Sequence, residues 1–390
     1  MLTNNIDLKK FNLKSNKKNL INIKHHLNKL LKEKNEILNS SKKEYKNSYN
    51  KKLITKLKKK SKIFVVGIGG SILGAKAIYN FLKKKIIKKF FFIDNFYNLE
   101  LTKKRNNQIL NLIISKSGNT LETIANANVL IKKNQSNIFI TENKKSYLMD
   151  LANKLKSEVI HHNNLIGGRF SVLSEVGMLP AELMGLNEKK FKVFNQLIKS
   201  KKFINALVLN VSNILSLVKK KKSNSVILNY DESSYDFFNW YQQLVAESLG
   251  KKSKGVLPII SSMPKDNHSV MQLYLDGNKK NFYTFFFVKD NSPYIINNDK
   301  LLKSHFYLKR KNLNDIKQAQ FNATEKVFKM KNIPYRSFFI KKKSEETLGE
   351  LFVFFMLETI LLGRALNVNP YDQPAVELIK TETKNFLLKS

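Results

Sequence analysis

Residues 62–68, KIFVVGI, are an unbroken apolar run rich in β-branched side chains and closed by a glycine. A strand apolar on both faces must be covered on both faces, which is the condition of a parallel sheet between helix layers. The residues that follow agree. GIGGSILG at 67–74 leads into a helical pattern, AKAIYNFLKKK at 75–85, and then into a second apolar run, KFFFID at 89–94. ILNLIIS at 109–115 and NIFIT at 137–141 read as further strands, each followed by a helical pattern. From residue 191 the scheme restarts. SVILNYD at 225–231 is a strand, SSYDFFNWYQQLVAESLGKK at 233–252 a strong helix, and strands are expected again in 256–263, 281–290 and 338–340. Alternating strands and helices in two rounds define an α/β protein with two parallel sheets. The expected division is an N-terminal helical arm at 1–58, a first sheet domain at 59–190, a second at 191–343, and C-terminal helices at 344–390.

Composition narrows the setting. The 390 residues contain no cysteine, which removes disulfides and thiolate metal sites and suits a reducing, cytoplasmic location. The first residues lack the apolar core of a signal peptide. The most apolar stretch, 348–368, carries Glu350, Glu358 and Arg364, so it reads as a buried helix and not as a membrane span. Net charge is +40. The lysines come in short runs at 83–85, 219–222 and 341–343, spread along the chain and not gathered with aromatics on one module. The expected reading is a solvated basic surface that attracts small anions, with no dedicated nucleic-acid site.

Two loops have the composition of phosphate cradles. GIGGSILG joins a strand to a helix N-terminus, where free backbone amides and the helix dipole favour an anion. It nearly copies a dinucleotide fingerprint, but Ile72 stands where the third glycine would be, so a nicotinamide cofactor is the weaker reading. SKSGNTLET at 115–123 places the hydroxyls of Ser115, Ser117 and Thr120 in one glycine-containing turn, more than a helix cap needs. A second cradle in the same unit argues for a phosphate monoester. The stretch 167–182, GGRFSVLSEVGMLPAE, holds Arg169 in a chain with only five arginines (Arg105, Arg169, Arg310, Arg336 and Arg364). A planar, permanently charged fork beside two glycines suits a site that stabilises negative charge.

Downstream, Gln243 and Glu247 are four apart and project from one helix face. A glutamate beside an apolar stripe is either half-exposed or functional. Asp266, His268 and Gln272 follow the strand at 256–263, and Gln373, Glu377 and Lys380 share one face of a terminal helix.

Five stretches together resemble the glucose-6-phosphate isomerase family: GIGGSILG (67–74), SKSGNTLET (115–123), GGRFSVLSEVGMLP (167–180), WYQQLVAESLGK (240–251) with DNHSVMQ (266–272), and NPYDQPAVELIK (369–380). The resemblance spans residues 67 to 380 in the family's order. It implies two sugar-isomerase (SIS) domains, each an αβα sandwich around a parallel sheet, and reversible conversion of glucose 6-phosphate to fructose 6-phosphate. It assigns Ser71, Ser115, Ser117 and Thr120 to the phosphate, with Lys116 in the same loop. Gly70, Gly168, Gln243 and Gln373 join the substrate-binding positions. It makes Glu247 the base, Arg169 the stabiliser of the intermediate, and His268 with Lys380 the ring-opening pair. It also implies a homodimer in which His268 reaches the partner's site. No cofactor, metal, membrane or nucleic acid is expected. Three other readings remain distinct: a nicotinamide-dependent dehydrogenase, a sugar-phosphate sensor without catalysis, and a nucleic-acid binder.

Overall fold

The computed structural model describes residues 2–96, 108–132, 135–290 and 294–389; Arg105 lies outside them. Ten strands are found among the described residues: β1 Ile6–Lys9, β2 Lys62–Val66, β3 Lys89–Ile93, β4 Ile109–Ile114, β5 Ser136–Thr141, β6 Glu158–His161, β7 Asn224–Asn229, β8 Leu257–Ser262, β9 Asn281–Val288 and β10 Tyr335–Ile340. They form two five-stranded sheets, ordered β3-β2-β4-β5-β6 and β1-β10-β9-β7-β8. Every pairing is parallel except β1 with β10. The central strands are covered on both faces. All eight residues of β9 are buried, as are all but the first of β4. This is the α/β architecture that the apolar strand runs require.

The helix Glu345–Ala365 is the hub of the core. Ser344 caps it by accepting from the Thr347 amide, and eighteen of its residues, from Glu345 to Gly363, are buried. It packs on the helices Lys201–Lys219 and Tyr235–Leu249 of the second unit and on the N-terminal helix Lys17–Lys32. Its Glu358 takes a bidentate ion pair from Arg336 on β10, with Asn210 as a further donor and Thr284 accepting from Arg336 Nε at 2.9 Å. Both charges are almost completely buried. No helix among the described residues is long and apolar enough to cross a membrane.

The arm at 1–58 is not wholly helical, and this corrects the sequence reading. Ile6–Lys9 pairs antiparallel with β10, Ile6 opposite Ile340. Its alternation is short: Ile6 and Leu8 point into the core while Asp7 and Lys9 face outward. Four residues between polar flanks give too little periodicity to see, and the strand exists because β10 leaves an edge to be paired. Beyond it, Phe11 lies over the Arg336 guanidinium at 5.6 Å. The helix Lys17–Lys32 starts at Asn16, whose side chain accepts from the Asn19 amide, and buries Ile23, Leu27 and Leu30. The arm up to Lys32 is thus a structural part of the second unit, while its helices Glu36–Ser40 and Lys51–Leu57 pack on 168–173 and 175–183 of the first.

Replacing Arg336 with Met should leave Glu358 buried without its cation. We expect a loss of about 3–5 kcal/mol in folding stability, read as a lower urea midpoint. The double substitution R336M/E358L should recover most of that loss, because no charge is then stranded.

Candidate active site

The reversal of strand order in the first sheet, between β2 and β4, opens a crevice outside the carboxyl ends of the strands. The loop after β2 and the loop carrying Arg169 meet there backbone to backbone. A Cβ on Gly70 would stand 2.1 Å from the carbonyl carbon of Gly168 and 2.5 Å from the Arg169 amide nitrogen. Gly69 has φ +55°, and a Cβ on it would meet the Gln243 amide at 2.7 Å. Ser171 ties the two loops, its hydroxyl donating to the Gly168 carbonyl at 2.7 Å and to the Gly70 carbonyl at 3.3 Å. Gly70 is therefore needed for contact between the loops, and Gly69 for contact with the Gln243 side chain, in addition to any contact with a ligand.

Arg169 fills the space behind this junction and is 2% exposed. Its Nε donates to Ser248 Oγ at 2.9 Å. Nη1 donates to Glu247 Oε2 at 2.9 Å and to Gln373 Oε1 at 2.7 Å. Nη2 donates to the carbonyls of Pro370 at 2.8 Å and Asp372 at 3.1 Å. The guanidinium lies over Phe170, and the Trp240 indole donates to the Arg169 carbonyl at 3.0 Å. Burial pulls the Arg169 pKa below its ordinary value; the Glu247 and Asp372 carboxylates oppose that. Arginine remains charged under such a shift, where a lysine in the same place could lose its proton.

Glu247 completes the cluster. Gln243, one helical turn earlier, donates to Glu247 Oε1 at 2.8 Å. The two carboxylate oxygens are thus held by different donors, while 30% of the side chain stays accessible. The segment bearing Gln373 is strapped down by Lys251, which pairs with Asp372 at 2.8 Å and donates to the Asn369 carbonyl.

The loop after β4 forms the other lip of the crevice. Thr120 precedes the helix Leu121–Leu130, but its side chain makes no cap bond. It bonds Ser115 instead, Oγ1 to Oγ at 2.8 Å. Gly118 has φ +68°, pressed against Ser146. Ser117 is exposed and its hydroxyl accepts from the Asn119 amide at 3.2 Å. The Lys116 ammonium donates to the Asn164 carbonyl at 2.8 Å and lies 3.5 Å from Glu142. Ser71, half-buried, stands at the end of the loop after β2, across from β4.

Two residues of the expected set lie apart from this cluster within the one chain; for His268 the expectation is the partner's site. His268 is exposed past the turn Lys265–Asn267, and no hydrogen bond joins it to Arg169, Glu247 or Gln243. Lys380 is exposed on the helix Glu377–Lys389 and pairs with Glu377 at 2.7 Å. None of that helix is buried, and Leu378, Ile379, Phe386 and Leu388 are all at least 70% exposed. Gln373 reaches Arg169 because it precedes the helix; Lys380 does not because the helix leaves the body of the chain.

Comparison with known proteins decides the family. A family model described as phosphoglucose isomerase matches residues 17–389. The glucose-6-phosphate isomerase of Methanocaldococcus jannaschii is 32% identical over 336 residues, covering 81% of each chain. That of Mycoplasmopsis pulmonis is 32% identical over 361 residues, covering 84% of this chain and 83% of the relative. The chain belongs to the phosphoglucose isomerase family. Among solved structures, a hypothetical protein from Thermus thermophilus superposes with a TM-score of 0.81 at 23% identity, covering 94% of each chain. A glucose-6-phosphate isomerase from Chlamydia trachomatis superposes with a TM-score of 0.69 at 20% identity, covering 86% of this chain and 71% of that one. Both likenesses bear on the fold alone.

Within this phosphoglucose isomerase family member, three contributors to the cluster escaped the sequence reading. Ser248 looks like one more helix residue, although a serine in line with Trp240 and Leu244 on a buried stripe is the kind of signal that could have found it. The Pro370 and Asp372 carbonyls have no side-chain signature at all. The glycine junction gives a sharp contrast. Gly70→Ala drives a Cβ into backbone and should cost about 3 kcal/mol or more by urea denaturation. Gly168→Ala, whose Cβ meets only the Gly70 Cα at 3.7 Å, should stay within about 1 kcal/mol of the parent.

Proposed function

We propose that this chain interconverts glucose 6-phosphate and fructose 6-phosphate through an enediolate, and that the Arg169–Glu247–Gln243 cluster is where the proton moves. The observation that carries this reading is a partly accessible carboxylate held between a buried, charged guanidinium and a glutamine, at the mouth of a crevice bordered by serine and threonine hydroxyls. Family membership supports the substrate.

The steps follow from the chemistry. The phosphate is held at the non-reacting end by Ser71, Ser115, Lys116, Ser117 and Thr120, and that binding energy orients the reacting carbons. Gly70, Gly168 and Gln373 line the sugar. Once the ring is open, Glu247 removes the proton from C2 and returns it to C1, while a proton passes between the two oxygens. Negative charge gathers on the enediolate oxygen, and Arg169 is the cation placed to meet it. The route moves protons only, so it calls for no redox cofactor. Ring opening moves a proton between O1 and O5, and we assign it to His268 with Lys380.

Both are exposed and make no hydrogen bond to the Glu247 cluster within one chain, which a shared site would explain. We propose a homodimer in which His268 serves the partner's crevice and the C-terminal segment 344–390 completes the site. The uncovered apolar residues of the helix Glu377–Lys389 favour this, since such a surface is costly to leave in water. The chain without cysteine suits a reducing cytoplasm.

A coupled assay tests the activity: glucose 6-phosphate added without cofactor should yield fructose 6-phosphate. Glu247→Gln should lower turnover about 10³-fold while sugar-phosphate binding changes less than about tenfold. Unchanged turnover would make Glu247 structural. The shared site has its own test. Glu247→Gln and His268→Ala homodimers should each be nearly inactive, yet on mixed refolding about half the dimers are hybrids with one intact site. About a quarter of parental activity should then return. No recovery with hybrids present would place both residues in one chain.

A further inference from the structure

The two sheets share one strand order. In each, the chain leaves a central strand (β2 or β7), pairs the next strand on one side (β3 or β8), and pairs the following one on the other (β4 or β9). A parallel sheet of this kind has its ligand crevice at that reversal. The first crevice holds the loops of Ser71 and Ser115. The second belongs to none of the residues assigned above. It is a cavity of about 1520 Å³ at the carboxyl ends of the second sheet, marked by Asn229, Ser262, Lys289 and Lys341. The helix Tyr235–Leu249 begins at its wall, and Glu247 is eleven residues beyond Asp236, about 16 Å along the helix axis.

We infer that this second crevice is an anion site for a phosphorylated small molecule, distinct from the Arg169–Glu247 cluster and independent of the isomerase reading. Two lysine runs far apart in sequence, 83–85 and 341–343, converge on it. Lys317 enters from the helix Leu313–Met330.

The carboxylates facing the crevice are largely neutralised. Asp231 Oδ1 accepts from Lys343 at 2.8 Å, and its Oδ2 accepts from Ser233 at 2.9 Å and Ser234 at 2.5 Å. Asp290 is paired with Lys84 at 2.7 Å. Asp236 accepts from Asn80 and lies 3.7 Å from Lys76. Glu232 is exposed at the mouth.

The cations are in excess. Among the described residues, no hydrogen bond or carboxylate within 4.0 Å reaches the ammonium groups of Lys265, Lys289, Lys317 or Lys342, all of which line the crevice. Lys317 is the telling one. It is half-buried, its ammonium 5.5 Å over the Phe287 ring. Burial holds its pKa below the ordinary lysine value; Asp231 and Asp290 act to raise it, and Lys343 and Lys84 to lower it further. A desolvated ammonium without an acceptor is costly, and phosphate oxygens supply what the protein does not. Phe81, Leu82, Tyr235 and Met263 form an apolar wall beside the lysines.

The test is lysine acetylation footprinting of the full chain by mass spectrometry, with inorganic pyrophosphate as probe and ionic strength held constant with sodium chloride. Pyrophosphate should protect Lys289, Lys317 and Lys342 and leave Lys329, near the far end of the Leu313–Met330 helix, unchanged. In Lys317→Gln the pyrophosphate concentration giving half-protection of Lys289 should rise about tenfold, and in Lys317→Arg it should stay near the parental value. Protection of Lys116, which reports the first crevice, should be the same in all three proteins. Loss of protection at Lys116 alone would count against the isomerase reading and leave this one standing. Equal protection at Lys329, no protection at Lys289, or an unchanged midpoint in Lys317→Gln would reduce the effect to general attraction by a basic surface and overturn the proposal.

Discussion

A guanidinium that is 2% exposed must find an acceptor for its donors, and the geometry around Arg169 follows from that demand. The acceptors come from two remote parts of the chain: Glu247 and Ser248 on one helix, and the segment beyond the core helix, which supplies Gln373 and the carbonyls of Pro370 and Asp372. To bring the arginine within reach, the loops at 67–71 and 167–169 must touch through their main chains, which the missing side chain of Gly70 allows. A positive charge fixed in this way costs little reorganisation when negative charge develops beside it, which is the physical meaning of a preorganised site.

The support for this cluster lies in the second unit. The helix Tyr235–Leu249 holds Trp240 against the Arg169 carbonyl and Gln243 and Glu247 against the crevice, and it packs on the buried helix Glu345–Ala365. That helix is anchored in turn by the Glu358–Arg336 pair on β10, and the N-terminal arm covers the pair with Phe11 and extends the sheet with β1. Residues with no part in the chemistry therefore bear on where Glu247 points, through contiguous packing.

Much of this was legible in the residues. The strand runs at 62–68 and 225–231 required buried parallel strands, and those strands are there. The glycines and the lone arginine of 167–182 pointed to a charge-stabilising site, and the arginine is buried against Glu247, Ser248 and Gln373. The spacing of Gln243 and Glu247 placed both on one helix face, where a hydrogen bond joins them. The short strand at Ile6–Lys9 was hidden because four residues carry too little pattern and its partner lies near the other end of the chain. Ser248 and the backbone acceptors were hidden because a main-chain carbonyl looks the same in every sequence and a helix serine rarely stands out.

By itself, then, the sequence determined the class of fold, through which stretches can only be covered strands. It also determined the chemical types in the site, because hydroxyls, carboxylate and guanidinium are covalent facts. Tertiary structure decided which of them meet. It brought Gln373 to Arg169 and left Lys380 and His268 outside, since a residue's reach depends on where its element leaves the body of the chain. It also changed the meaning of the lysine runs at 83–85 and 341–343. Along the chain they look dispersed, but proximity is set by the order of strands in a sheet, and that order gathers them on one crevice.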